Sequence, residues 1–280
     1  MHPPVTRLFP APQTQAPLEG LYLGHQLHLK GKPFVYSNFI TSLDGRIAIA
    51  AEDHTTHTVP AAITNPRDWR LYQELAGQAD LLITSGRYFR QSVIGEAQAP
   101  LPVGEEAAYA DIRAWRAAAG FSPQPDIAIM SGSLDIPAAA LESYSGRRIF
   151  VITGDDADRN KARSLQGKGV DVIHAGAGRQ VEGKQMIAAL ALLGYQSIYA
   201  IAGSSVFHTL LRASVLDRLY LTITCQLLGG VTFDTLTQGA LLEPARSMQL
   251  VSLYHDPHAP EGAGQMLGIF EPAGKHLPGS

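Results

Sequence analysis

The stretch Ser197–Gly230, SIYAIAGSSVFHTLLRASVLDRLYLTITCQLLGG, decides the fold. It opens on an apolar run of strand length, stops at Gly203-Ser204-Ser205 and passes straight into the helical pattern VFHTLLRASVLDRL. A helix amino terminus offers unpaired N–H groups and a partial positive charge, so this turn can hold a phosphate without a lysine. The plainer alternative is that Ser204 or Ser205 only caps the helix. The turn lacks the spacing of the GxGxxG fingerprint and of the Walker loop. Beyond the helix, Arg218 to Leu228 alternates and ends in Gly229-Gly230, the pattern of a further strand.

Working outward, the same strand-then-glycine pattern recurs at Leu81 to Gly86, Ile127 to Gly132, Ile149 to Gly154 and Val170 to Gly176. These runs do not alternate, as expected of parallel strands covered on both faces, and helical patterns separate them: Pro66 to Ala76, Glu105 to Ala119, Asp156 to Lys168 and Lys184 to Leu193. Met248 to Tyr254 and Gly264 to Phe270 read as strands with no long helix between them, so the carboxyl end is expected to be antiparallel. The fold class is α/β with a mixed sheet. Open α/β sheets bind ligands at the carboxyl ends of their strands, where a residue without Cβ lets backbone approach a ligand closely.

The 280 residues hold 22 Lys+Arg against 25 Asp+Glu, a formal charge of −3, which argues against a general nucleic-acid binder. A single cysteine, Cys225, excludes an internal disulfide and a thiolate cluster built from one chain, and fits a reducing compartment, with the cytoplasm as default. It is expected to pack inside its strand as a small apolar residue. No Lys, Arg, Asp or Glu occurs between Gln185 and Leu211, but Gly194, Gly203 and several polar residues interrupt that stretch. It parses as helix, strand and helix, with Gly194 closing the first, and not as a membrane span. Residues 1–32 carry five of the eighteen prolines and read as an extension that is partly ordered at most; residues 33–280 are expected to form one domain.

Two other segments carry polar residues in turn contexts. Ser37 to Arg46 (SNFITSLDGR) runs a strand into an Asp44-Gly45 turn, a pairing that tight turns favour whatever their chemistry. In Ile63 to Arg70 (ITNPRDWR), Thr64 or Asn65 can cap a helix starting near Pro66, and Arg67 and Arg70 are either solvated or available to a phosphate. The histidines of Glu52 to His57 lack the spacing of a metal pair, so no metal is expected there. No GxSxG elbow supports a serine nucleophile.

Taken in order, these segments resemble the reductase domain of the bifunctional deaminase/reductase of riboflavin biosynthesis, a relative of dihydrofolate reductase. The likeness spans about Pro33 to Phe270 and rests on Ser42-Leu43-Asp44-Gly45-Arg46, Ile63-Thr64 with Pro66, Gln78-Ala79-Asp80 before LLITSG, and Gly203 through Leu216-Asp217-Arg218-Leu219 to Leu227-Leu228-Gly229-Gly230. No zinc-deaminase signature precedes it. The resemblance implies a dihydrofolate-reductase-like three-layer fold, a homodimer, and NADPH as hydride donor, with 5-amino-6-(5-phosphoribosylamino)uracil as the parent substrate. It implies that Gly203, Ser204 and Ser205 hold the cofactor pyrophosphate, that Thr64 and Ser85-Gly86 line it, and that Ser131 and Thr153 lie towards the adenosine. Asp44 and Asn38 take the catalytic positions, and Ser42, Arg67, Arg70 and Ala202 the substrate side. Asn38 and Ala202 stand where the family commonly has Lys and Glu, and Trp69 where it often has Arg, so the substrate is expected to differ more than the cofactor. The expected function is an NADPH-dependent reductase of a pyrimidine- or pterin-like compound; the alternative is a non-catalytic dinucleotide-binding homodimer.

Overall fold

The computed structural model describes residues 2–28, 31–50, 56–95, 103–201 and 203–274. In chain order its strands are β1 (Val5–Phe9), β2 (Thr14–Ala16), β3 (Phe34–Thr41), β4 (Ala48–Ala50), β5 (His57–Thr58), β6 (Leu81–Ser85), β7 (Asp126–Met130), β8 (Ile149–Thr153), β9 (Asp171–His174), β10 (Ser197–Ala200), β11 (Arg218–Thr224), β12 (Phe233–Asp234), β13 (Met248–Asp256) and β14 (Gln265–Pro272). The helices are α1 (Pro66–Gln78), α2 (Gly86–Val93), α3 (Ala110–Ala118), α4 (Ala138–Glu142), α5 (Arg159–Gln166), α6 (Gly183–Leu192) and α7 (Ser204–Arg212). The chain forms two compact units, each discontinuous in sequence: residues 1–25, 36–75 and 216–280, and residues 26–35 and 76–215.

In the second unit the strand order is β10-β6-β7-β8-β9, and every pairing is parallel. The apolar runs of β6, β7, β8 and β10 are almost wholly buried, as strands covered on both faces must be. The charge-poor stretch from Gln185 to Leu211 divides into α6, β10 and α7, with Gly194 at φ +97 just past α6. No helix among the described residues is long and apolar enough to cross a membrane.

In the first unit the order is β2-β1-β13-β14-β11-β3, antiparallel throughout except where β11 runs parallel to β3, with Tyr220 opposite Asn38. A small sheet, β12-β4-β5, completes it. Strand β11 ends at Thr224, short of the expected Leu228, because the chain then changes partners: the Leu228 and Gly229 amides turn to the Asp44 carboxylate at 3.3 and 2.9 Å. Cys225 therefore falls outside the strand and is exposed, contrary to its expected burial.

The segment before Pro33, read from sequence as an extension, contributes β1, which pairs with β13, and the β2 hairpin arm. Val5 and Leu18 are completely buried. Glu74 of α1, also wholly buried, accepts the amides of Gly20, Tyr22 and Leu23 at 2.6, 2.8 and 3.2 Å and the Nε–H of buried Arg70 at 2.9 Å. One carboxylate thus satisfies three backbone donors and a guanidinium, and at Tyr22, Leu23 and Arg70 these bonds are buried away from water. Replacing it with Ala should cost about 3–5 kcal/mol. Urea unfolding checks this: the midpoint of Glu74→Ala should fall well below wild type, and an unchanged midpoint would deny the carboxylate this role.

Candidate functional site

The carboxyl edge of the second unit is where the sequence places a cofactor cradle. Strand β10 leads to Gly203, which caps α7 with φ −66 and ψ −174 and without any side-chain hydrogen bond. Ser204 and Ser205 are the first two residues of the helix, so the reading in which either one caps it does not hold. Ser204 is buried and Ser205 exposed. The Val206 and Phe207 amides return to the Gly203 carbonyl, while those of Ser204 and Ser205 find no acceptor among the described residues. A Cβ built on Gly203 would meet nothing within 4 Å. Two uncapped amides, a helix dipole and open space beside the glycine make an anion-accepting terminus.

The other strand-end glycines serve different ends. A Cβ on Gly154 would overlap the Gly178 carbonyl and one on Gly176 the Gln180 carbonyl, while on Gly132 it would come within 2.8 Å of the Arg179 carbonyl. The 176–182 segment therefore lies directly on the ends of β7, β8 and β9, and these glycines admit the protein's own loop. At Gly86 a Cβ would lie 3.0 Å from Ser131 Oγ and 3.3 Å from Arg90 Nη1. Ser85 caps α2 by accepting the Tyr88 amide at 3.4 Å, and Ser131, buried, accepts the Leu134 amide at 3.1 Å. Thr153 is completely buried, its hydroxyl without a partner among the described residues. Of the positions assigned to the cofactor in this unit, Gly203 to Ser205 alone combine open space with unpaired donors. Ala202 lies outside the described residues.

In the first unit, Asp44 occupies the turn its Asp-Gly pair predicts, with Gly45 at φ +83. Its carboxylate accepts Ser42 Oγ–H at 2.5 Å and the Gly229 and Leu228 amides, and pairs with Arg46 at 2.7 Å. Chiefly the Ser42 hydroxyl, then the Gly229 amide, hold its pKa down at about 2. Such a group stays ionised at any ordinary pH and is no proton donor. Ser42 is buried and also accepts the Arg46 amide at 3.0 Å. Asn38 is half-buried on β3, and Thr64 is exposed, donating to the Ala61 carbonyl at 3.1 Å. Asn65, not Thr64, caps α1, its Oδ1 accepting the Arg67 and Asp68 amides. His57 pairs with Asp234 at 3.0 Å; residues 52–54 lie outside those described.

The two arginines are neither solvated nor presented to a ligand as pairs of open forks. Arg67 is 5% exposed, donating Nε–H to Asp256 at 2.6 Å and Nη2–H to the Pro3 carbonyl at 2.9 Å; Arg70 is 3% exposed against Glu74. Between them stands a residue the sequence reading passes over. Asp68 accepts the Thr222 hydroxyl on Oδ1 at 2.6 Å, and burial raises its pKa to about 6 against that bond. In a sequence, an acid in the first turn of a helix reads as a complement to the dipole; its threonine partner lies on a strand far along the chain.

A family model described as the RibD C-terminal domain matches residues 33–258. No curated protein matches the sequence. Among solved structures, a pyrimidine reductase-like protein from Corynebacterium diphtheriae aligns with a TM-score of 0.61 at 19% identity, covering 86% of this chain and 92% of the other. RibD of Acinetobacter baumannii aligns at 0.59 and 15%, covering 87% of this chain and 58% of that one. The riboflavin biosynthesis reductase Rib7 of Saccharomyces cerevisiae aligns at 0.58 and 14%, covering 91% and 99%. At these identities the likeness is one of fold.

Asp68 leaves a thermodynamic mark. Its folded pKa lies above the ordinary 3.8, so the cost of its charge is absent below about pH 4, grows as pH rises through about 6, and is full at neutrality. Asp68→Asn, whose amide oxygen can still accept from Thr222, should therefore be more stable than wild type at pH 7 by up to about 3 kcal/mol. The gain should vanish near pH 4. Denaturant titrations at the two pH values measure it, and an equal effect at both would contradict the assigned ionisation.

Proposed function

The chain belongs to the RibD C-terminal domain family, and from that premise we propose that it is an oxidoreductase that moves a hydride from NADPH to a pyrimidine- or pterin-like heterocycle. The observation that carries the cofactor part is the α7 terminus: an uncapped helix start after a glycine with open space around it. A pyrophosphate fits there without a lysine, because the Ser204 and Ser205 amides and the helix dipole supply the partial positive charge. The cofactor, when bound, brings the reducing hydride, and the protein's contribution is orientation and electrostatics. Asp44 takes a positioning part, fastening the Ser42–Arg46 turn to the Gly229 backbone.

The reading includes assembly and place. Leu227, Val231 and Leu241 are 72%, 97% and 82% exposed, apolar surface of a kind that a second copy of the chain would cover. One face of β11 is already covered from within: Tyr22 packs on Tyr220 at 4.6 Å between ring centroids, and His25 hydrogen-bonds its hydroxyl at 2.9 Å. The dimer contact is therefore assigned to the exposed leucines and valine beyond β11. Sedimentation should give twice the 30.0 kDa chain mass at micromolar concentration, and a monomer there would remove this part. The lone cysteine fits a cytoplasmic protein.

Gly203→Val tests the cradle. Its backbone φ of −66 suits any residue and its Cβ would meet no atom, so the variant should fold normally. Calorimetry should show NADPH affinity at least about a hundredfold weaker than wild type, the loss of roughly two charge-assisted hydrogen bonds. Unchanged affinity in the folded variant would move the cofactor elsewhere. NADPH oxidation followed over pyrimidine and pterin substrates separates the reductase from a binding protein of the same fold: tight NADPH binding with no oxidation by any of them would favour the latter.

A further inference from the structure

The large sheet of the first unit has two unlike faces. On one, Thr222, Gln265 and Asp256 meet Asp68, Asn65 and Arg67 of α1, and Tyr220, Leu267, Ile269 and Tyr254 on the same side are buried. The registers put the alternate residues on the other face. There Leu221 and Ile223 of β11 stand opposite Gly268 and Met266 of β14, and Leu250 and Leu253 of β13 opposite Phe270 and Gly268. Leu221, Ile223, Leu250, Leu253, Met266 and Phe270 are all half-buried, and Phe9 of β1, opposite Leu253, is 43% exposed. A Cβ on Gly268 would fall 2.6 Å from Phe270 Cε2, so the aromatic ring takes the space above that glycine.

An antiparallel sheet with one face in water alternates apolar inward with polar outward. Strands β11 and β14 place Leu, Ile, Met and Phe outward instead. No Asp, Glu, Lys or Arg of β1, β11, β13 or β14 falls on this face, since Arg7, Arg218, Asp256 and Glu271 all lie on the α1 side. Contiguous apolar surface of this kind marks a contact. The backbone groups are spent on the ladders, so an extended peptide gains no strand pairing here. The four strands span about 14 Å between outer axes and the seven residues of β11 about 24 Å, broader than the roughly 10 Å of a single helix. Another sheet fits that breadth, about 10 Å away and about 30° off parallel. In a two-fold contact each patch meets its own copy, where like charges would repel; a patch with none escapes that repulsion.

Resting on the reading of this chain as a homodimer, we propose that this face packs on the same face of a second copy, making a two-fold sandwich of two sheets with Leu253 and Phe270 on its middle strands. The contact assigned beyond β11 continues it, because Leu227 follows three residues after that strand ends. Assembly then holds β11 between α1 on one side and the second copy's sheet on the other. That is the strand which carries Thr222 to Asp68 and runs on to the Leu228 and Gly229 amides that clasp Asp44.

Sedimentation and methionine oxidation test this on the full chain. Wild type should sediment as a dimer. Leu253→Glu and Phe270→Glu, with their folds checked by circular dichroism, should each raise the dimer dissociation constant at least about a hundredfold, because each sets a charge in an apolar contact. Leu192→Glu, at a position 90% exposed on α6, should leave it unchanged. Should neither face variant fold, wild type still answers: under dilute peroxide, Met266 should oxidise at least about tenfold more slowly above the dissociation constant than below it, since oxidation follows exposure. Dimers that persist in both folded variants, or Met266 oxidised as fast in the dimer as in the monomer, would overturn the sandwich and leave the homodimer reading standing. A monomer at every concentration would remove both.

Discussion

A charge taken out of water has to be met by another, and α1 takes four ionisable side chains towards the interior of the first unit. Much of that unit is arranged by the need to meet them. Arg67 draws in Asp256 at the end of β13; Asp256 is held by Gln265 at 3.0 Å, and Gln265 by Asn65 at 2.9 Å, which closes a ring of contacts from the helix cap through β14 and back. Arg70 and Glu74 pair along the helix, and the remaining acceptor capacity of Glu74 folds residues 20–23 against it. Asp68 alone among the four ends on a hydroxyl, and it is the one whose charge the fold does not neutralise.

The second unit depends on a different constraint, the packing of backbone against backbone at strand ends. Five strands finish in or just before a glycine, yet at β7, β8 and β9 the glycine makes room for the 176–182 segment and at β6 for Ser131. Glycine at a strand end is thus not in itself a sign of ligand approach; what distinguishes Gly203 is that nothing occupies the volume it leaves and that no side chain closes the helix after it.

The parallel strands were legible in the sequence because continuous apolar runs bounded by glycine have few other uses, and α1, α5 and α6 because their periodicity is plain. The β1–β2 hairpin was not: VTRLF is short, lies among prolines, and is stabilised by β13, far along the chain. For the same reason Arg67 reads in the sequence as solvated or available to a phosphate, since nothing local tells that Asp256 and the Pro3 carbonyl will meet it. Of the site, the Gly203 turn was legible through its own strand–turn–helix pattern, whereas Asp68 was hidden because its meaning comes from Thr222, a residue of another element. The Asp44 turn was visible too, although only the structure shows how fully its carboxylate is committed to Ser42, Arg46 and Gly229.

The central claim is that the carboxyl edge of the second unit receives a nicotinamide dinucleotide at the start of α7. Backbone amide chemical shifts of the 15N-labelled chain during titration with NADPH test it most directly. The account predicts that the largest saturable shifts fall on Gly203, Ser204 and Ser205, as their amides take up a pyrophosphate. Saturable binding whose shifts leave these three amides unmoved would contradict it.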